Sequence, residues 1–283
     1  MAAAPGTTGI RSKLSQLPEF SGVFRGRELT RKDRRLGSNL LPLNDLLYGG
    51  IPRGRISEIT GPRSSGKTSI AASFIASATR RGETVAVVDL ENAFDPLTMA
   101  ATGVDLNRVL CMAAFHANGG IPCRRLLSQI DHVARVRGEQ SPLTAWKNAV
   151  KAAELILEAG GFGLMVLDFG GYARSIPQSA ALRLARLAER SGTSVLVLAL
   201  HRMCGTFAAL GISLNCKRAL FTRSGPYCPT LYDGLEIEAF LARNKLGGSG
   251  GRGRWRTLID PSIVAVPSSP NRKAQPSGRT ASL

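Results

Sequence analysis

The stretch of sequence that decides the fold is the run Gly61, Pro62, Arg63, Ser64, Ser65, Gly66, Lys67, Thr68. It matches in full the pattern G-x-x-x-x-G-K-[ST] of a phosphate-binding loop. Glycines let the backbone N–H groups of such a loop turn inward around a phosphate, Lys67 can reach the β- and γ-phosphates, and the Thr68 hydroxyl can ligate Mg²⁺. These eight residues therefore predict a nucleotide site that also holds a magnesium ion.

The neighbouring sequence supplies the setting that this loop requires. Residues 55–60 are rich in β-branched side chains and predict a short strand, and the alanine-rich residues 69–80 predict a helix. Strand, loop and helix in this order aim the positive end of the helix dipole at a bound anion. The alternative reading, a glycine-rich turn with an incidental lysine, is disfavoured because it explains neither flanking element.

Two further apolar runs end in acidic residues that could hold the magnesium shell. Residues 84–91 end with Asp89 and Glu91, and residues 163–168 end with Asp168. A third apolar run covers residues 194–200 and follows a predicted helix at 179–190. Apolar strands alternating with helices predict an α/β fold with a mostly parallel sheet flanked by helices. Ligands of such sheets bind beyond the carboxyl ends of the strands, where these acids would lie.

Composition places the chain among soluble, basic proteins that build a real core. Its 283 residues are 43% hydrophobic and carry 37 Lys and Arg against 20 Asp and Glu, a formal charge of +17. No apolar run approaches the roughly 18–20 residues of a membrane helix. The five cysteines form no C-x-x-C pair, so we expect reduced thiols and a cytoplasmic protein.

Most of the excess positive charge lies at the two ends of the chain. Residues 1–40 carry a net charge of +5 and residues 243–283 a net charge of +7. Such runs are often solubilising tails, but they also suit a polyanion such as DNA, because Lys and Arg release counterions from its phosphates. Residues 261–283 are rich in proline and serine and poor in apolar side chains, which predicts a disordered tail.

The sequence around the loop resembles the RecA family. Residues 47–68 are similar to that family's segment leading into its phosphate loop, and residues 88–96 are similar to its strand with the water-activating glutamate. The resemblance implies a RecA-type P-loop NTPase core, with ATP and Mg²⁺ as cofactors and a terminal antiparallel strand segment. It covers roughly residues 37–260, is dense up to Cys111 and is patchy afterwards.

The resemblance also assigns roles to individual residues. It implies that Glu91 is the general base, that Asp95 contacts the adenine, and that Asp168 is the Walker B aspartate beside Mg²⁺. Arg243 and Lys245 fall on the family's K-N-K segment, whose cations reach the nucleotide of the neighbouring subunit. The implied partners are DNA, single-stranded in the first place, and a second copy of the chain across an ATP interface.

Departures from the family pattern are equally informative. Leu200 stands where the recombinases of the family have a glutamine that senses the γ-phosphate, and leucine forms no hydrogen bond. Both DNA-binding loops look shortened, we expect the family's large C-terminal domain to be absent, and residues 113–142 look like a helical insertion. This trimmed form is similar to the ImuA-type accessory factors of mutagenic translesion synthesis.

Two smaller features allow a functional and a plainer interpretation. Cys204, Cys216 and Cys228, with His201 nearby, invite a zinc site, but close pairs are missing and small buried apolar residues are the better interpretation. Trp255 lies between two arginines and could stack on a base. Packing of its ring against the sheet is favoured over stacking.

These observations lead to a domain organisation and a ranked set of functions. We expect a basic N-terminal extension at 1–36, a RecA-like core at 37–260 and a tail at 261–283. The favoured function is an ATP-binding accessory or regulatory factor of DNA repair, recombination and the DNA-damage (SOS) response, partnered with a repair polymerase or recombinase. The alternatives are a DNA-dependent ATPase recombinase that forms filaments on single-stranded DNA, and a pseudo-ATPase scaffold that binds nucleotide without needing its hydrolysis.

Overall fold

A computed structural model of the chain describes residues 35–90, 92–113, 142–171, 175–222 and 229–258. The predicted N-terminal extension up to residue 34, the interior of the predicted insertion and the predicted tail lie outside these ranges. Glu91 lies outside them as well.

Four of the strands follow the apolar runs predicted at 55–60, 84–91, 163–168 and 194–200. The strands are β1 (Arg35–Leu36), β2 (Ile51–Pro52), β3 (Ile56–Thr60), β4 (Thr84–Asp89), β5 (Val109–Ala113), β6 (Phe162–Asp168), β7 (Ser194–Ala199), β8 (Ala208–Thr222), β9 (Leu231–Asn244) and β10 (Arg252–Leu258). The helices are α1 (Leu41–Leu46), α2 (Lys67–Arg80), α3 (Pro96–Ala101), α4 (Pro142–Ala159) and α5 (Gln178–Ser191), with a 3₁₀ turn at Leu106–Arg108. None of these helices is both long and apolar enough to cross a lipid bilayer.

One sheet organises the described residues, with its strands in the order β10-β9-β8-β3-β7-β6-β4-β5. The strands from β8 to β5 in this order pair in parallel, while β8, β9 and β10 pair antiparallel. This arrangement confirms the predicted α/β class, the mostly parallel sheet and the terminal antiparallel segment. The phosphate-binding strand β3 lies between β8 and β7, near the middle of the sheet.

Apolar side chains on both faces of the sheet build two core clusters. One cluster packs α1 and α2 on the sheet through residues such as Leu43 and Phe74, and the other packs α4 and α5 through residues such as Trp146 and Leu184. Strands covered on both faces read as continuous apolar runs, which is why β4, β6 and β7 were recognisable from sequence. Trp255 is only 2% exposed and belongs to the first cluster, so its predicted packing in the core is confirmed.

The core begins slightly before the predicted boundary at residue 37. Arg35 and Leu36 form β1, which pairs antiparallel with β2. Leu36 is fully buried in the first cluster, and Arg35 donates hydrogen bonds to the carbonyl oxygens of Leu47 and Gly50 at 2.9 and 3.0 Å. These two residues of the predicted extension therefore pack as part of the core.

Candidate nucleotide-binding site

The phosphate loop connects the end of β3 to the start of α2 through a backbone that needs glycine. Ser64 and Gly66 have positive φ angles of 58° and 88°. A Cβ atom on Gly66 would lie 2.1 Å from Cδ1 of Ile237 on β9, so the loop packs directly against that strand. The conformation at residue 66 is one that L residues rarely adopt, which explains why glycine occupies this position.

The loop faces the start of a helix that favours anions. Helix α2 is 14 residues long, and its first turn has neither an acidic residue nor a side-chain cap. The positive end of its dipole therefore points at the loop without a competing carboxylate. Nζ of Lys67 donates hydrogen bonds to the carbonyl oxygens of Gly61 and Pro62, both at 2.7 Å. The cation is thereby held over the first turn of the loop.

A buried hydroxyl in the loop also fits a polar ligand. Ser65 is 1% exposed, and its Oγ has no hydrogen-bond partner within the described ranges. Buried polar atoms in folded proteins almost always have a partner. A phosphate group in the loop is one ligand that could provide it.

Two aspartates meet at the carboxyl edge of the sheet beside the loop. Asp89 at the end of β4 and Asp168 at the end of β6 are register partners in the parallel pairing. Both are buried, and each accepts a backbone hydrogen bond, Asp89 from Phe94 at 2.7 Å and Asp168 from Gly170 at 2.8 Å. These bonds hold the carboxylates at the sheet edge, as expected for Asp168 from the sequence.

A small cavity of about 20 Å³ joins these acids to the loop. Thr68, Asp89 and Asp168 supply its polar lining, and the remaining lining is mostly apolar. Hydroxyl and carboxylate oxygens are the ligands that Mg²⁺ prefers, and it commonly takes one or two carboxylates and completes its shell with water and phosphate. Within the described ranges no group of three or more His, Cys, Asp and Glu side chains forms a metal site. The residues therefore fit a magnesium ion that arrives with a nucleotide.

Asp95 has a clear local role in the structure. Its Oδ2 accepts a hydrogen bond from the backbone N–H of Thr98 at 3.0 Å and another from the Thr98 hydroxyl. Asp95 is thus the N-cap of α3, and these hydrogen bonds lower its pKa below the usual value. The side chain is otherwise exposed, so this capping is compatible with the adenine contact that the sequence implies but does not test it.

Arg243 and Lys245 do not line the cavity beside the phosphate loop of their own chain. Arg243 pairs in register with Gly211, which in turn pairs with Glu58 of β3, and the backbone N–H of Lys245 binds the carbonyl oxygen of Ala209. Lys245 is therefore level with the amino end of β3 and Arg243 with its middle, whereas the loop leaves its carboxyl end. The structure brings the loop, Asp89 and Asp168 together and leaves these two cations apart.

The two cations instead bind a turn between β7 and β8. Arg243 donates to the carbonyl oxygens of Gly205 at 2.9 Å and Thr206 at 3.3 Å, and Lys245 also donates to Thr206. Partial burial, together with the charges of Arg243 and Arg55, lowers the pKa of Lys245. The region is therefore crowded with positive charge that an incoming anion would stabilise.

The same turn is held from its other side by a carboxylate that sequence reasoning missed. Glu58 on β3 is fully buried, and its Oε1 accepts hydrogen bonds from the backbone N–H groups of Met203 at 2.7 Å and Cys204 at 2.6 Å. The signal was present, since Glu58 is the one charged residue of β3 and lies between Ser57 and Ile59. Leu200, at the position of the family's glutamine, follows β7 directly and is 42% exposed.

The cysteines behave largely as small buried residues. Cys204 is buried, and burial together with the neighbouring Glu58 raises its pKa well above the usual value. Cys216 is partly buried on β8, and Cys228 lies outside the described residues. The interpretation of Cys204 as a buried apolar residue is therefore confirmed.

Comparison with known proteins agrees with the fold and the loop. A family model described as the RecA N-terminal domain matches residues 34–120. Protein RecA of Ectopseudomonas oleovorans is 56% identical over 63 residues, which is 22% of this chain and 18% of the relative. Protein RecA of a Roseiflexus species is 53% identical over 107 residues, which is 36% of this chain and 30% of the relative. The chain thus aligns with less than a third of the length of these curated relatives.

Similarity to a solved structure extends over most of the chain. The crystal structure of the RadB recombinase superposes with a TM-score of 0.53 and 17% identity, covering 80% of this chain and 97% of that one. At this identity the superposition establishes a shared fold. With the family model and the curated relatives on the segment that contains the phosphate loop, the chain is similar to the RecA family over that segment and shares the fold of the RadB recombinase.

Proposed function

We propose that this chain binds ATP together with Mg²⁺ at the phosphate loop. Residues 61–68 would surround the phosphates, Lys67 would contact the β- and γ-phosphates, and Thr68 and Asp168 would hold the metal. The observation that carries the proposal is the cavity shared by Thr68, Asp89 and Asp168 at the end of the loop. Bound Mg-ATP would supply a transferable γ-phosphoryl group whose charge the metal partly neutralises.

The favoured role is that of an accessory or regulatory factor in DNA repair, recombination and the SOS response. Similarity to the RecA N-terminal domain and to RecA proteins supports a DNA-related role in the cytoplasm, and the solved structure that shares the fold is named a recombinase. The main argument against a complete recombinase is Leu200, because an exposed leucine beside the nucleotide site offers no hydrogen bond to a γ-phosphate. A repair polymerase or recombinase is the protein partner that this role would require.

A second copy of the chain would complete the nucleotide site. Arg243 and Lys245 lie outside the cavity beside their own loop and bind the turn between β7 and β8, so we expect them to act on ATP across an interface between copies. Burial lowers the pKa of Lys245, and so do the charges of Arg243 and Arg55, whose repulsion a bound phosphate would relieve. To bind the nucleotide of the second copy, both cations would give up their hydrogen bonds to the carbonyl oxygens of Gly205 and Thr206.

ATP turnover measured with and without single-stranded DNA tests this proposal. We expect the purified chain to bind Mg-ATP and to show little DNA-stimulated hydrolysis. Strong stimulation by DNA would instead support the recombinase alternative. Failure to bind Mg-ATP at all would remove the proposal and both alternatives.

Replacement of the implied general base separates an ATPase from a scaffold. Glu91→Gln should abolish whatever turnover is present while leaving Mg-ATP binding intact, because the amide no longer accepts a proton from water. If repair function in cells survives this substitution, hydrolysis is dispensable and the scaffold alternative is favoured. Glu189→Gln, an exposed position on α5, is the matched control.

A further inference from the structure

One face of the antiparallel segment is left uncovered by the helices that the structure describes. Side chains alternate along β9, so that Ile237, Ala239 and Leu241 are buried in the first core cluster while Phe240 and Ala242 point to the other side and are exposed. On the parallel strands that other side is covered by α4 and α5. We call the solvent-facing side of β8, β9 and β10 the outer face.

The outer face carries more positive than negative charge. Register pairing places Arg252, Arg254 and Arg256 of β10 beside Phe240, Glu238 and Glu236 of β9, respectively. Lys217 and Arg218 of β8 add two further cations that pair with the same two glutamates. Five cations thus face two carboxylates, which leaves a surplus of three positive charges on one exposed sheet surface.

The two glutamates keep the cations of β8 and β10 in place. Oε1 of Glu236 lies 2.5 Å from Nε of Arg254, and its Oε2 lies 3.7 Å from Nη2 of Arg218. Glu238 pairs with Lys217 at 2.8 Å, and this bond, together with the nearby charges of Arg252 and Arg254, lowers the pKa of Glu238. Exposed pairs of this kind add little stability, but they restrict the side chains and so lower the entropy lost when a ligand binds.

Arg252 and Arg256 are the cations with the greatest freedom to bind a ligand. Within the described ranges no carboxylate lies within ion-pair distance of either one. Arg252 instead lies over the ring of Phe240, at 5.4 Å from the ring centroid. Phe240 is 38% exposed, so the pair presents a flat, cationic and aromatic surface. Such surfaces suit unpaired bases and their phosphates.

We infer that the outer face binds the sugar–phosphate backbone of single-stranded nucleic acid. The inference rests on the proposed DNA-related function and gives it a location. Same-face residues of β10 lie about 7 Å apart, so its three arginines form a line of donors along the strand. An open, net-positive sheet face with an aromatic group suits a flexible polyanion that can follow the strand.

A charge-matched pair of triple variants tests the inference. R252Q/R254Q/R256Q removes three cations from the outer face, and K147Q/R186Q/R190Q removes three exposed cations from α4 and α5. Binding of a fluorescein-labelled 20-nucleotide dT oligomer is followed by anisotropy from about 50 to 200 mM NaCl, the range in which phosphate contacts respond strongly to salt. Mg-ATP binding of each variant is measured in parallel.

The two variants should differ both in affinity and in salt dependence. Each phosphate contact contributes about 0.7 to the slope of log K against log salt for single strands. The outer-face variant should therefore lose about 2 units of slope and at least about tenfold in affinity, while the control keeps the slope of the unmodified protein. The double variant R252Q/R256Q leaves the ion pairs of Glu236 and Glu238 intact, and its slope should fall by about 1.4 units. It keeps the test decisive if the triple variant does not fold.

Several results would overturn the inference while leaving the proposed function standing. Equal losses of oligomer affinity in both triple variants would mean that binding depends only on the total charge. Unchanged affinity in the outer-face variant would mean that the nucleic acid binds elsewhere. Polyglutamate of similar length binding as tightly as the oligomer would identify the face as a surface for acidic protein. In contrast, an unmodified protein that does not bind Mg-ATP would contradict the proposed function itself.

Discussion

Nζ of Lys67 lies 2.7 Å from the carbonyl oxygen of Gly61, the first residue of the phosphate loop. The loop cation is therefore bound within the loop. Charge-assisted hydrogen bonds to phosphate are stronger than bonds to a neutral carbonyl, so a nucleotide should draw the ammonium group away from Gly61.

Lys67→Ala should weaken Mg-ATP binding strongly. The substitution removes a cation whose charged hydrogen bonds contribute about 1.5–3 kcal/mol each, so the dissociation constant should rise about 10–150-fold. Isothermal titration calorimetry measures the change, with Lys147→Ala on the exposed side of α4 as the control. Equal affinities of the two variants would contradict a role for Lys67 in phosphate binding.

Gly66→Ala should destabilise the loop, and a substitution on β9 should partly reverse the effect. The new methyl group would adopt a left-handed conformation, which costs about 1–2 kcal/mol, and would also collide with Cδ1 of Ile237. Ile237→Val removes that atom and should recover part of the loss in the double variant. Urea denaturation measures the free energies of unfolding, and strictly additive effects would show that the two residues are not in contact.

Glu58→Ala should loosen the turn between β7 and β8. It leaves the buried N–H groups of Met203 and Cys204 without their acceptor, and each such group costs about 1–3 kcal/mol. Glu58→Gln keeps an oxygen acceptor, so it should lower the free energy of unfolding by less. Hydrogen exchange should show faster exchange at both amides in the alanine variant alone, and slow exchange in that variant would contradict the assignment.

Stability should fall in alkaline solution because of a buried thiol. Burial and the nearby charge of Asp89 raise the pKa of Cys111 from 9.0 to about 12. The folded chain therefore keeps a proton that the unfolded chain loses, so the free energy of unfolding decreases as pH rises from about 9 to about 12. Urea denaturation at pH 8, 9 and 10 measures this decrease.

Cys111→Ala provides the control for the alkaline prediction. In this variant the free energy of unfolding should fall less steeply with pH, but it should still fall. The reason is that the pKa of Cys204 is also raised, which destabilises the folded chain in alkaline solution as well. An identical pH dependence in the variant and in the unmodified chain would mean that Cys111 does not titrate as stated.

The sequence predicted those parts of the site that depend on neighbouring residues. The phosphate loop between β3 and α2 was recognisable because its glycines, Lys67 and Thr68 follow one another along the chain. The end of β6 at Asp168 was recognisable because a strand buried on both faces is a continuous apolar run. The antiparallel strand β8 was not predicted. Beyond Asn215 this strand leaves the core, so its sequence does not continue as an apolar run.

Contacts between distant segments were decided by the tertiary structure alone. Local sequence does not encode the order of strands in a sheet, and that order places Asp89 beside Asp168 and Ile237 against Gly66. It also places Glu58 beneath a turn some 145 residues further along the chain. The loop chemistry is therefore readable from sequence because it needs only adjacent residues, whereas the buried carboxylate and the outer face exist only after the sheet has brought its strands together.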